Sequence, residues 1–96
     1  MAPLVSVCLI TYNQQQFVAQ AIESALMQKC PFKFEVLICD DASTDETPRI
    51  AKTYADTNSE FVKIFPSEKN LGVLRNWERA LKLCTGKYIA LLEGDD

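Results

Sequence analysis

Near-continuous apolar runs alternate along this chain with helically spaced ones, and polar clusters mark the changeovers. Leu4–Ile10 is almost wholly apolar, the pattern of a strand covered on both faces in a parallel sheet. Thr11-Tyr12-Asn13 ends it. Asn13 is placed to cap a following helix, with Gln16 three residues on completing a capping-box-like pair. That helix keeps Val18, Ala21, Ile22, Ala25 and Leu26 on one face, and Lys29-Cys30-Pro31 breaks it. A second strand, Phe34–Cys39, runs into Asp40-Asp41. Asp45 is the expected cap of the next helix, because it leaves Pro48 in the first turn, where a missing amide hydrogen costs little. Ile50, Ala51, Tyr54 and Ala55 form its expected buried stripe. Phe61–Phe65 reads as a third strand at a sheet edge, since Lys63 interrupts it. After the loop Pro66–Gly72, a third helix is expected to bury Leu74, Trp77, Leu81 and Cys84 and to stop at Gly86. Lys87–Leu92 is a fourth strand, apolar enough to be expected buried.

Strands alternating with helices of this length predict an α/β fold with a parallel sheet, as one small domain over residues 1–96. Right-handed crossovers carry the chain outward from strand one to two to three. Return of strand four to the other side of strand one gives a Rossmann-like, three-layer sheet of order 3-2-1-4 with flanking helices. Ligands of such sheets bind beyond the carboxyl ends of the strands. Thr11-Tyr12-Asn13, Asp40-Asp41 and Glu93-Gly94-Asp95-Asp96 are those ends, so three polar clusters converge on one crevice.

The chemistry follows from the residue types. Three carboxylates at the mouth of an apolar strand repel one another and lose hydration, unless a cation or hydrogen-bonding ligand sits among them. Their hard oxygens suit Mg²⁺ or Mn²⁺ carrying substrate phosphates. A solvated acidic turn is the bland alternative. A dinucleotide site would need a glycine-rich turn after the first strand, and Thr11–Gln16 contains no glycine. A phosphate-binding Gly-x-x-x-x-Gly-Lys loop is absent, and with no histidine, His-based acid-base chemistry is excluded. The formal net charge of −3 offers no basic surface for nucleic acid. No apolar run reaches the roughly 18 residues needed to cross a bilayer, and no secretion signal is evident. The four cysteines show neither zinc nor redox spacing, and Cys8 and Cys39 fall inside strand runs as core residues, which fits a reducing, cytoplasmic setting. What remains is a nucleoside diphosphate held by a carboxylate-bound metal.

Four segments, in this order, resemble the donor-binding half of a family 2 glycosyltransferase with the GT-A fold. They are Val5-Ser6-Val7 to Tyr12-Asn13, Asp40-Asp41 to Thr47, Asn70-Leu71-Gly72, and Gly86-Lys87 to Asp95-Asp96. The resemblance implies transfer of a sugar from a nucleoside-diphosphate sugar to an acceptor hydroxyl, with inversion and metal assistance. Thr11 and Tyr12 match positions lining the nucleotide pocket, beside Asn13, Asp40, Asn70 and Gly72. Asp41 matches the carboxylate that accepts from the uracil ring nitrogen, which implies a UDP-sugar donor. Glu93-Gly94-Asp95-Asp96 matches the Asp-x-Asp motif, with Glu in its first acidic position. Asp95 would face the ribose and metal shell, and Asp96 would ligate Mn²⁺ or Mg²⁺.

Taken by themselves, several of these residues have a plainer role open to them. Asp41 serves equally as a turn cap, Tyr12 as a strand-end aromatic, and Asn70 and Gly72 as turn formers. Arg75 could pair with a diphosphate, but an Arg on an exposed helix turn is more often solvated. The general base of an inverting transfer is expected beyond Asp96, so the chain reads as the front of a longer, truncated GT-A enzyme without turnover of its own. The alternatives are a non-catalytic nucleotide-binding or interaction fragment and a sugar nucleotidyltransferase. The latter would want a glycine- and arginine-rich loop where Gln14-Gln15-Gln16 stand. The resemblance further implies a saccharide or lipid-linked acceptor, polysaccharide assembly, and peripheral association with the inner face of the cytoplasmic membrane. An open edge at the fourth strand predicts self-association.

Overall fold

The computed structural model describes residue 3, residues 5–27 and residues 33–93. Its seven elements are β1 (Val5–Thr11), α1 (Val18–Leu26), β2 (Phe34–Asp40), α2 (Thr47–Thr57), β3 (Val62–Pro66), α3 (Val73–Leu83) and β4 (Tyr88–Glu93). The strands form one parallel sheet of order β3-β2-β1-β4, as the crossover argument requires. Alternate residues of β1 serve opposite faces. Leu9 joins Val18, Ile22, Val36, Ile38 and Ala51 in a core under α1 and α2, whereas Cys8 and Ile10 join Cys39 and Ala80 under α3. Truncating a fully buried residue such as Ile22 to Ala would cost about 2–5 kcal/mol.

Register places the site. Thr11 pairs with Asp40 and Ile10 with Glu93, so the carboxyl ends of β1, β2 and β4 finish level with one another. The opposite end is closed by Glu35, which accepts from the hydroxyls of Ser6 (2.5 Å) and Thr85 (2.9 Å) and from the Thr85 amide (3.0 Å). Gly86 donates its amide to Ser6 Oγ, and a Cβ there would lie 2.6 Å from the Ser6 amide nitrogen. Only glycine allows that approach.

Four expectations need correction. The first helix begins at Val18 behind Phe17, and Asn13 does not cap it: Asn13 sits at φ 50 in the loop and turns its side chain to the neighbouring loop. α2 begins at Thr47, with Pro48 in the first turn as expected; Asp45 lies one residue before the Glu46 cap position and accepts from the Thr47 amide at 2.9 Å. On α3, the buried residues are Asn76 and Ala80, with Trp77 and Cys84 half-buried and Leu74 and Leu81 exposed. Two stripes of comparable helical spacing compete on this helix. The one carrying Asn76 wins because the end of β2 offers it a carbonyl to bind. β4, finally, is not buried: Tyr88, Ile89 and Leu91 are exposed, because β4 has no outer partner among the described residues.

Candidate nucleotide-binding site

The site is assembled from three loops, each leaving the carboxyl end of a strand or entering α3. The first two are tied together residue by residue. The Asn13 amide donates to Ser43 Oγ (2.9 Å), the Thr44 amide to Asn13 Oδ1 (2.8 Å), and the Gln14 amide to Thr47 Oγ1 (2.8 Å). The Gln15 amide donates to Asp45 Oδ2 (3.1 Å), and the Glu46 amide to Gln15 Oε1 (2.9 Å). Partial burial pushes Asp45 up, but hydrogen bonds from Thr47 and the Gln15 amide outweigh it and hold its carboxyl below the usual range. These bonds require two left-handed residues, Asn13 (φ 50) and Ala42 (φ 59). Asn tolerates that conformation; Ala adopts it at a cost.

Asp40 and Asp41 point to different partners. Buried Asp40 accepts from the hydroxyls of Thr11 and Ser43, both at 2.6 Å, and from the Ser43 amide at 2.9 Å. Its carboxylate is thereby consumed in holding β1, β2 and the second loop in place. Asp41, 4% exposed, accepts from the Leu71 amide (2.6 Å) through Oδ1 and from the Gly72 amide (3.0 Å) through Oδ2. Asn70 reaches the Asp41 carbonyl at 3.4 Å. The third loop is thus fastened to Asp41 from three points.

A cleft of about 100 Å³ opens beside Asp41, lined by Ile10, Thr11, Tyr12, Gln14, Val73 and Asn76. Tyr12, 48% exposed, stands free at its rim. The chain therefore brings Thr11, Tyr12 and Asp41 to one cleft, with Asn70 and Gly72 behind Asp41. Asn13 and Asp40 lie in the supporting network rather than on the cleft wall. Arg75 is exposed on α3, away from this cleft.

Sequence reasoning missed Asn76 and Arg79. Asn76, almost fully buried, donates to the Cys39 carbonyl at 2.8 Å; Arg79 donates to the Asp40 carbonyl at 3.0 Å and to Asn76 Oδ1 at 2.9 Å. They fasten α3 to the end of β2. The available signal was a polar residue, Asn76, at helical spacing from Ala80 and Leu83.

Asp95 and Asp96, the expected metal ligands, lie outside the described residues, as does Gly94. Among the described residues no cluster of acidic, cysteine or histidine side chains could hold a metal. Asp40 and Asp41 are each engaged by donors of the chain itself. No helix among the described residues is long and apolar enough to cross a membrane.

Comparison with known proteins agrees with this architecture. Residues 6–96 match the family described as glycosyl transferase family 2. The putative glycosyltransferase EpsE of Bacillus subtilis is 42% identical over 94 residues, covering 98% of this chain and 34% of that protein. Among solved structures, a mannosyltransferase from Pyrobaculum calidifontis in complex with GDP-Man and Mn²⁺ superposes with a TM-score of 0.88 at 27% identity. S. aureus TarS in complex with UDP-GlcNAc superposes with a TM-score of 0.84 at 30% identity. Each match covers 99% of this chain but only 28% and 27% of the respective structures, so the chain spans from 27% to 34% of these three proteins. The parallel sheet of order 3-2-1-4 is that of GT-A glycosyltransferases, and the chain belongs to glycosyl transferase family 2.

Proposed function

We propose that this chain is the donor-binding portion of an inverting, metal-assisted glycosyltransferase that uses a UDP-sugar. The observation that carries the reading is Asp41: a buried carboxylate, held by two main-chain amides, on the wall of a cleft at the carboxyl ends of β1 and β2. An ionised carboxylate only accepts hydrogen bonds, so Asp41 would accept a ring N–H of uracil and reject cytosine, whose N3 is itself an acceptor. Tyr12 would lend the base a ring face, and Thr11 would border the ribose. Complexes with UDP-GlcNAc and with GDP-Man and Mn²⁺ in the two structural relatives support a nucleotide-sugar ligand.

Asp96, with Asp95, would hold Mn²⁺ or Mg²⁺, and a cation bound there would supply charge neutralisation to the departing diphosphate. The general base that takes the acceptor proton is assigned to chain beyond Asp96, so these 96 residues would bind donor without turning it over. The acceptor would be a saccharide or a lipid-linked acceptor, met at the inner face of the cytoplasmic membrane.

Calorimetric titration of the chain with UDP, with and without Mn²⁺, tests this reading. Binding that needs Mn²⁺ and falls about tenfold or more in Asp96→Asn is expected. A folded chain that ignores both UDP and Mn²⁺ overturns the assignment. Detectable sugar transfer by the chain alone overturns the placement of the base.

A further inference from the structure

The loop entering α3 does more than close the cleft. Gly72 occupies φ 88, ψ 159, a region essentially closed to residues with a side chain, and it is the N-cap residue of α3. In that conformation it and Leu71 turn consecutive amides onto the two oxygens of Asp41, one to each. A carboxylate bonded through both oxygens has lost its rotation about the Cβ–Cγ bond. The lone pairs left for a ligand then point in fixed directions. Asn70, bonded to the Asp41 carbonyl, fixes the backbone from which the side chain springs.

We infer that Gly72 is a specificity-determining positioning residue: it touches no ligand, and it sets the orientation in which Asp41 reads the nucleobase. The inference rests on the donor-site reading above, and it differs from a simple turn-forming role in what it predicts. A turn former contributes equally to every ligand. An orienting residue contributes only to ligands that bond the oriented group, here bases with a ring N–H donor.

Gly72→Ala is a clean probe, because nothing lies within 4 Å of the Cβ it would add. Its effect is therefore conformational: alanine leaves this backbone region and withdraws the paired amides from Asp41. Circular dichroism first confirms that the variant is folded. Titration with UDP and CDP in the presence of Mn²⁺ is then expected to show UDP binding weakened about tenfold or more and CDP binding altered less than about threefold, so that the UDP preference collapses. Equal weakening of both nucleotides, or no change in either, overturns the inference.

Hydrogen exchange by NMR in the ligand-free chain provides a second readout that survives a variant too unstable to titrate. The Leu71 and Gly72 amides are expected to exchange about a hundredfold more slowly than that of exposed Lys69, and to lose this protection in Asp41→Ala, which removes both acceptor oxygens. Exchange as fast as at Lys69 overturns the inference. Protected amides in a chain that binds no UDP would sink the donor-site reading and, with it, any role of the clamp in specificity.

Discussion

Thr11 donates its hydroxyl to Asp40 at 2.6 Å across the last register pair of β1 and β2. Ser43 adds two further bonds to the same carboxylate, so one buried side chain joins two strand ends and the loop that follows. Charge-assisted bonds of this kind are the strong ones, and removing the acceptor leaves buried donors without partners. Asp40→Ala is therefore expected to cost about 3 kcal/mol of folding stability. Urea denaturation of the two proteins measures this directly, and a loss below about 0.5 kcal/mol would contradict the bonding scheme.

Ala42, at φ 59, carries strain that its neighbours impose. The left-handed conformation costs an L-residue about 1–2 kcal/mol, whereas glycine at the same place loses about 0.4–1 kcal/mol through its freer unfolded chain. Ala42→Gly should consequently stabilise the protein by roughly 0.5–1 kcal/mol. A lower melting temperature in the glycine variant would show that the Ala42 side chain makes contacts worth more than the strain.

At the opposite end of the sheet, burial pushes the Glu35 carboxyl up. Hydrogen bonds from Ser6 and Thr85, with Lys63 at 3.8 Å, outweigh burial and hold the carboxyl below its ordinary value of 4.5. A depressed carboxylate contributes stability that is present above its unfolded pKa and is lost as pH falls through the folded one. Stability should thus decline below pH 4.5, and Glu35→Gln should flatten that decline while lowering stability at neutral pH. An unchanged acid limb in Glu35→Gln would assign the decline to other groups.

The strand order, the two polar ends of β1 and β2, and the first-turn Pro48 were legible because each follows from local pattern or chain geometry. The α3 face was not. Leu74-Trp77-Leu81 and Asn76-Ala80-Leu83 have comparable helical spacing, and the choice is made by the Cys39 and Asp40 carbonyls, which need Asn76 and Arg79 as donors. Asn13 misled for a related reason. Asn suits both a cap and a left-handed loop residue, and the bond from the Thr44 amide, 31 residues away, settles the matter. The two roles of Asp40 and Asp41 were equally hidden, since adjacent identical residues diverge only through partners distant in sequence.

Burial pushes the Cys39 thiol up to about 11 from its ordinary 9.0, with Arg79 opposing and Cys84 adding to the shift, and burial raises Cys8 further still. A raised thiol pKa favours the folded state below the unfolded pKa, and that contribution is lost as pH rises through the folded value, here between 9.0 and about 11. At about pH 8 both thiols are protonated and enclosed, so iodoacetamide should spare Cys8 and Cys39 until urea unfolds the chain. Peptide mapping after labelling identifies the sites. Rapid labelling of either residue in the native chain would show that the α3 face opens.

The two edges of the sheet are unequally protected. β3 carries exposed Lys63 and ends in Pro66, both of which discourage a further strand from pairing. β4 has neither device, and among the described residues nothing covers Tyr88, Ile89 or Leu91, which are 58%, 45% and 55% exposed. A strand that is apolar on both faces and unpaired on one side gains hydrogen bonds and burial by meeting a copy of itself. The 96-residue chain is therefore expected to self-associate at micromolar concentration, through β4 rather than β3. Sedimentation analysis of wild type beside Leu91→Lys separates the edges: the lysine variant should remain monomeric, because pairing would bring like charges together. A monomeric wild type, or association that persists in Leu91→Lys and disappears in a β3 variant such as Ile64→Lys, would place the exposed surface elsewhere.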